Sequence, residues 1–302
     1  MIAPSCFWNE EVQRRQRVGT VLSIQVIARI DLGAGDLLGF APMREYEEIE
    51  HDGERDAVAI EEPLEIRVDG RPLSVTMRTP GHDEELALGF LYGEGLIDRP
   101  RAAGLTEDFA VNTIEVAGPL LRDPGERRFY TTSSCGVCGK GALEEVAVVS
   151  APLGPGPVVP RELLAALPER LEQPTFAATG GVHATGLFDA AGALLLARED
   201  VGRHNAMDKV VGRALRDGLL PLADKILCIS GRLSFELVQK AAVAGAPILV
   251  GVGAPSTLAI ELAADRKMTL CGFTRRGRTN VYSGAERVTG QTGPDRPPVA
   301  PG

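Results

Sequence analysis

The regular alternation of apolar and polar positions begins at Leu64. Leu64, Ile66 and Val68 alternate with polar residues, Asp69-Gly70 supplies a two-residue turn, and Leu73, Val75 and Met77 alternate again. That pattern predicts a β-hairpin. Pro80-Gly81 breaks the second strand, and His82 to Tyr92 follows as a helix with Leu86 and Phe90, and nearby Leu88 and Leu91, on its buried side. Further strands are expected near Thr113 to Ala117 and Arg127 to Thr132. The first half therefore reads as a small α+β domain.

Ser150 to Pro160 holds four prolines and two glycines among eleven residues, a composition that suits an interdomain connection. Beyond it the pattern predicts a strand through Thr179, a strand over Val182 to Phe188, a turn at Asp189 to Gly192, a strand over Ala193 to Ala197 and a helix from Arg203 to Leu215. Strand Lys225 to Ile229, helix Ser234 to Ala244, strand Pro247 to Val252, helix Ser256 to Ala264 and strand Met268 to Phe273 then form a β-α-β-α-β series. Such crossovers build a parallel sheet covered by helices, with ligands beyond the carboxyl ends of its strands. The fold class is α/β. Its expected parts are an N-terminal extension (1–45), a small α+β domain (46–149), an α/β domain (150–289) and a disordered tail (290–302).

Composition narrows the classes of function. With 44% hydrophobic and 24% charged residues the chain is globular rather than disordered. A formal charge of −9 argues against binding a long nucleic acid as the main activity. No run approaches the roughly 20 apolar residues of a membrane span, because Val18 to Ile30 is interrupted by Gln25 and Arg29. Five cysteines are too few and odd in number for a disulfide framework, which fits a reducing compartment, with the cytoplasm as the expected setting. Gly33, Gly35 and Gly39 lie one residue off a dinucleotide fingerprint and lack a βαβ frame, so they read as a flexible leader.

Three segments follow strands at the expected ligand-binding edge: Ser230-Gly231-Arg232, Gly251 to Thr257, and Thr274-Arg275-Arg276-Gly277-Arg278-Thr279-Asn280. Two lead into helices, where backbone N–H groups and the hydroxyls of Ser234, Ser256 or Thr257 can face an anion, and the third brings three guanidiniums. For an acidic chain, arginines gathered there suggest a phosphate binder. His204, at a strand-to-helix junction beside Arg203, suits a proton shuttle, a phosphate ligand, or a helix-start residue bonded to Asp200. His183 follows Gly180-Gly181 on a strand whose small neighbours leave room for a ligand or another backbone.

The most pointed chemistry lies in Thr131 to Gly141, which contains Cys135-Gly136-Val137-Cys138. Its three glycines loosen the backbone and Lys140 favours a thiolate. A redox dithiol, half of a zinc site and a persulfide carrier all fit two thiols at this spacing. A structural zinc needs four ligands, but no second Cys-x-x-Cys exists, and Cys228 and Cys271 fall on buried strands by pattern.

Several blocks together resemble the FdhD family, the formate dehydrogenase accessory sulfurtransferases, from about Glu61 to Val288. They are Glu61-Glu62-Pro63-Leu64, Thr79-Pro80-Gly81-His82-Asp83, Cys135-Gly136-Val137-Cys138-Gly139, Thr179-Gly180-Gly181-Val182-His183, Glu199-Asp200-Val201-Gly202-Arg203-His204-Asn205, and the arginine segment. The resemblance implies a sulfur carrier, a sulfurtransferase with a cysteine persulfide intermediate at Cys135 and with Cys138 as its second thiol. A cysteine desulfurase would load it. The sulfur would pass to the molybdenum cofactor, molybdenum bis(molybdopterin guanine dinucleotide), bound at Phe273-Thr274-Arg275-Arg276-Gly277-Arg278, before insertion into formate dehydrogenase. It further implies a homodimer, no tightly bound metal, and a cytidine-deaminase-like three-layer second domain. The zinc deaminase motif itself is missing, because His183 is followed by Ala184-Thr185 where that motif needs x-Glu, and Cys135 and Cys138 come before His183 with Ser134 in place of proline. A non-enzymatic chaperone that binds the cofactor is the alternative.

Overall fold

The computed structural model describes residues 44–106, 110, 112–123, 129–131 and 150–290. They all lie within one compact unit, Met43–Gly302. The expected extension up to residue 43 and the tail from residue 291 lie outside the described residues.

The acidic stretch that opens this unit forms a two-stranded ribbon, β1 (Tyr46–His51) and β2 (Glu54–Ala59), which the sequence reading did not foresee. Asp52 and Gly53 both take positive φ, 50° and 82°, as a tight hairpin turn requires. β3 (Glu62–Val68) and β4 (Arg71–Arg78) form the expected hairpin, turning on Asp69 and Gly70. Helix α1 (Asp83–Gly93) then precedes β5 (Ala103–Leu105), β6 (Thr113–Val116) and β7 (Phe129–Thr131). The resulting mixed sheet has the order β5-β6-β3-β4-β7, with β7 parallel to β4. Leu64, Ile66 and Val68 of β3 pack under Leu86, Leu88 and Leu91 of α1.

β4 buries the face that its apolar residues do not occupy. Arg78 is 2% and Thr76 8% exposed, whereas Met77 is 44% exposed. Arg78 pairs with Asp83 of α1 at 2.8 Å, and the Thr76 hydroxyl donates to Asn205 Oδ1 at 3.2 Å.

Residues 150–160 are pinned rather than loose. Arg287 donates through Nε to the Pro155 carbonyl and through Nη2 to that of Gly154 at 2.7 Å. Arg266 donates to the Ser150 carbonyl, and β8 (Val159–Pro160) pairs with the strand at 288–289. α2 (Arg161–Ala166) follows. The strand expected through Thr179 is instead helix α3 (Pro174–Thr179). Pro174 opens it, Gly180 closes it at φ 64°, and the Glu199 carboxylate accepts the N–H groups of Thr175 and Phe176. These are helix start and stop signals that outweigh the β-propensity of the segment.

The second sheet comprises β9 (His183–Phe188), β10 (Leu194–Asp200), β11 (Ile226–Ile229), β12 (Ile248–Gly251), β13 (Thr269–Arg275) and β14 (Arg278–Ser283), in the order β10-β9-β11-β12-β13-β14. β11, β12 and β13 are parallel, and β9 and β14 flank them antiparallel. Helices α4 (Arg203–Arg216), α5 (Phe235–Val243) and α6 (Thr257–Asp265) cover one face, through Met207, Val210, Leu237, Ala241 and Ala259 against Leu187, Leu227 and Leu249. Leu164 and Leu167 cover the other, over Phe188, Ile226, Cys228 and Cys271. β15 (Val288–Thr289) ends the fold. The protein is thus mixed α/β. Among the described residues no helix is long and apolar enough to cross a membrane.

The two sheets are joined through α1 and α4, which cross at two glycines. A Cβ on Gly89 would lie 1.8 Å from the Asp208 carbonyl oxygen, and one on Gly212 1.8 Å from that of Glu85. A polar seam continues the junction. Asp200 and Lys209, buried and 2.8 Å apart, meet the end of β4: the Thr79 N–H donates to Asp200 at 3.2 Å and Lys209 donates to the Thr79 carbonyl at 2.9 Å. The Thr79 hydroxyl in turn accepts the Val201 N–H.

Candidate functional site

The carboxyl ends of β11, β12 and β13 converge with the start of β9, and backbone hydrogen bonds zip their loops together. Ser230 closes the first join twice, since its N–H donates to the Ala184 carbonyl and its hydroxyl accepts the Ala184 N–H, each at 2.9 Å. Gly253 donates to the Gly231 carbonyl at 2.9 Å, and Phe273 donates to that of Gly253 at 3.0 Å. A Cβ on Gly253 would lie 2.9 Å from Arg232 Cα, so glycine is needed for this approach. Ser256 is an N-cap whose hydroxyl accepts the Ala259 N–H.

Two histidines line this edge. The His183 ring lies over Gly231, where a Cβ would be 3.4 Å from Nδ1. Burial first, then the charges of Arg203, His204 and Arg232, hold the His183 pKa below its ordinary 6.5, so the ring is neutral at pH 7. His204 does not bond Asp200; its Nε2 lies 2.8 Å from Glu236 Oε2 and 3.4 Å from Ser234 Oγ. The hydrogen bond from His204 pulls the Glu236 carboxyl below its ordinary range against the opposing effect of burial. Asp200 is engaged elsewhere, by Gly202 N–H, Asn205 and Lys209. Glu236 is a site residue that sequence reasoning missed, because 32 residues and a crossover separate it from its partner and no local pattern signals the pairing.

The arginine segment is a hairpin rather than an open loop. Arg276 and Gly277 take φ of 51° and 71° and form the two-residue turn between β13 and β14, with Arg275 opposite Arg278. Thr274 and Thr279 are buried and hydrogen-bonded to each other at 2.7 Å, which anchors the turn and leaves the three arginines exposed. Phe273 also takes a positive φ, 51°, at the irregularity in the β13 ladder. Among the described residues Arg232, Arg275, Arg276 and Arg278 have no ion-pair partner, and Arg203 Nε is buried without a hydrogen bond. Guanidiniums without partners are suited to an anionic ligand.

The structure brings His183, His204, Ser230, Gly231 and Arg232 together at the sheet edge, with Phe273 joined to them through Gly253. Arg275, Arg276, Gly277 and Arg278 extend from β13 and β14 beyond Phe273. Cys135 and Cys138 lie outside the described residues. The segment that carries them leaves β7 at Thr131, which pairs with Thr76 at the end of β4. Cys228 and Cys271 are buried in β11 and β13; burial drives both thiols up, Cys271 to about 12, so neither forms a thiolate near neutrality. Among the described residues no group of three or more His, Cys, Asp or Glu could hold a metal ion.

The fold defines a mixed α/β protein of two joined sheets, the larger of which carries exposed arginines at its carboxyl edge. The chain belongs to the FdhD/NarQ family, whose sequence model matches residues 59–289. It is 50% identical over 252 residues to the sulfur carrier protein FdhD of Streptomyces coelicolor, covering 77% of this chain and 89% of that protein. It is 47% identical over 254 residues to the sulfur carrier protein FdhD of Mycobacterium tuberculosis, covering 78% and 92%. A crystal structure from Desulfotalea psychrophila, provisionally described as a formate dehydrogenase accessory protein, superposes with a TM-score of 0.64 at 28% identity, covering 81% of this chain and 98% of that one.

Proposed function

We propose that this protein is a cytoplasmic sulfur carrier for formate dehydrogenase, acting as a homodimer with Cys135 as the persulfide-bearing residue. The Cys135 thiolate attacks the outer sulfur of a cysteine desulfurase persulfide. The donor's S–S bond breaks, its cysteine leaves as a thiolate, and a new S–S bond holds the sulfur on Cys135. The cargo is molybdenum bis(molybdopterin guanine dinucleotide), and its metal takes soft sulfur ligands. The outer sulfur moves as a neutral atom, so the two electrons that make it sulfide come from a reduced molybdenum, and Cys135 returns as thiolate.

The observation that carries this reading is the carboxyl edge of the second sheet, where among the described residues Arg232, beside His183 and His204, and Arg275, Arg276 and Arg278, on the β13–β14 turn, have no ion-pair partner. They offer charge to the pyrophosphates of the cargo, and His183, held neutral, adds a polar ring without another charge. The names of the relatives support the sulfur half of the proposal.

Cells that depend on this protein for formate dehydrogenase provide the test. Cys135→Ala should abolish maturation of the dehydrogenase while the variant still binds GDP, a probe for the guanine dinucleotide arm. Maturation that persists in Cys135→Ala would overturn the carrier reading and leave a cofactor-binding chaperone.

A further inference from the structure

We propose that Asn205 is a positioning residue that aligns the root of the cysteine segment with the cargo-binding edge, an inference that rests on the carrier reading. Asn205 follows His204 in the first turn of α4 and is 7% exposed. Its carboxamide is used at both ends. Nδ2 donates to the Met77 carbonyl at 2.7 Å and to Asp200 Oδ1 at 3.0 Å, while Oδ1 accepts the Thr76 hydroxyl at 3.2 Å. A carbonyl and a carboxylate on one side and a hydroxyl on the other admit only one orientation of the amide.

Thr76 is the residue of β4 that stands opposite Thr131, the last residue of β7 before the segment that carries Cys135. One side chain therefore links the helix turn that presents His204 to the strand beside which that segment departs. Thr79, Asp200 and Lys209 join the same two parts through bonds that do not involve Asn205. Those bonds hold the sheets together, and Asn205 fixes where residues 76 and 77 lie against α4. Transfer between two bound groups is steeply sensitive to such alignment, whereas loading from an external donor and binding of a nucleotide are not.

The test uses the full chain loaded with sulfur by a cysteine desulfurase and cysteine, followed by intact-protein mass spectrometry as molybdenum bis(molybdopterin guanine dinucleotide) is added. In Asn205→Ala, loading and GDP affinity should stay within about twofold of the parent while the rate at which sulfur leaves falls about tenfold or more. Thr76→Val, which deletes only the hydroxyl, should reproduce the slow transfer, and Thr76→Ser should restore it. Unchanged transfer in Asn205→Ala overturns the inference. So does a joint fall of loading, binding and transfer that Thr76→Ser shares, since that marks a general scaffold role. A parent that never retains sulfur defeats the carrier reading itself, whatever Asn205 does.

Discussion

The two histidines at the sheet edge differ in what surrounds them, and that difference has a pH signature. His183 has a depressed pKa in the folded protein because of burial and the neighbouring Arg203, His204 and Arg232. The unfolded chain therefore binds a proton at His183 as pH falls through 6.5, before the folded state does, and stability is lost on acidification. Urea midpoints should fall less in His183→Gln than in the parent between about pH 7.5 and about pH 5.5; parallel losses would contradict this origin. Arg278 lies at the exposed start of β14. Arg278→Ala should weaken GDP binding about tenfold without affecting persulfide loading, as measured by calorimetry and mass spectrometry; equal loss of both would instead indicate misfolding. Sequence alone singled out both histidines and the arginines by residue type and by position after strands. It could not reveal that His204 pairs with Glu236, because α4 and α5 meet only in the folded sheet.

Elements were legible where periodicity or turn chemistry was strong. The Asp69-Gly70 hairpin and the β11 to β13 crossovers formed close to their expected bounds, because a buried parallel strand needs a short apolar run and a covering helix needs an apolar face. α3 was misread because six residues show no helical period, and only Pro174 and Gly180 mark its ends. β14 was missed because Arg276 stands where Asn or Gly usually signals such a turn. Alternation in β4 exposed the hairpin but not its buried face, which is chosen by polar contacts with α4. The helix crossing also escaped detection, since Gly89 and Gly212 carry no signal of partnership. Their geometry leads to an unambiguous expectation. Gly212→Ala would drive a Cβ into backbone, so it should cost about 1–3 kcal/mol. Gly104→Ala, with nothing within 4 Å of the added carbon, should stay within about 0.5 kcal/mol. Denaturant titration distinguishes the two, and a tolerated Gly212→Ala would refute the close crossing.

Across the whole molecule, what mattered was how two sheets legible in sequence come to act together. The buried Asp200 and Lys209 lie in the seam between them, where burial raises the Asp200 pKa against the opposing pull of Lys209. Lys209→Met should strand that carboxylate and cost about 3–5 kcal/mol, read from thermal and urea unfolding. A loss below about 1 kcal/mol would show that the pair contributes no more than a surface contact. Residues 79–83 and 199–205, which read as a family signature, prove to be largely this junction. Their polarity suggested chemistry in a linear reading, because a strand end and a helix start distant in sequence give no hint that they face each other. Arg287 and Arg266 likewise fix the proline-rich connection through carbonyls that composition cannot identify as partners.

The most direct measurement is intact-protein mass spectrometry after incubation with a cysteine desulfurase and cysteine, on the parent, Cys135→Ala and Cys138→Ala. One added sulfur on the parent that disappears in Cys135→Ala is the expected outcome, and reducing agent should remove it. A parent that retains no sulfur, or a Cys135→Ala variant that retains as much as the parent, would contradict a carrier built on that thiol.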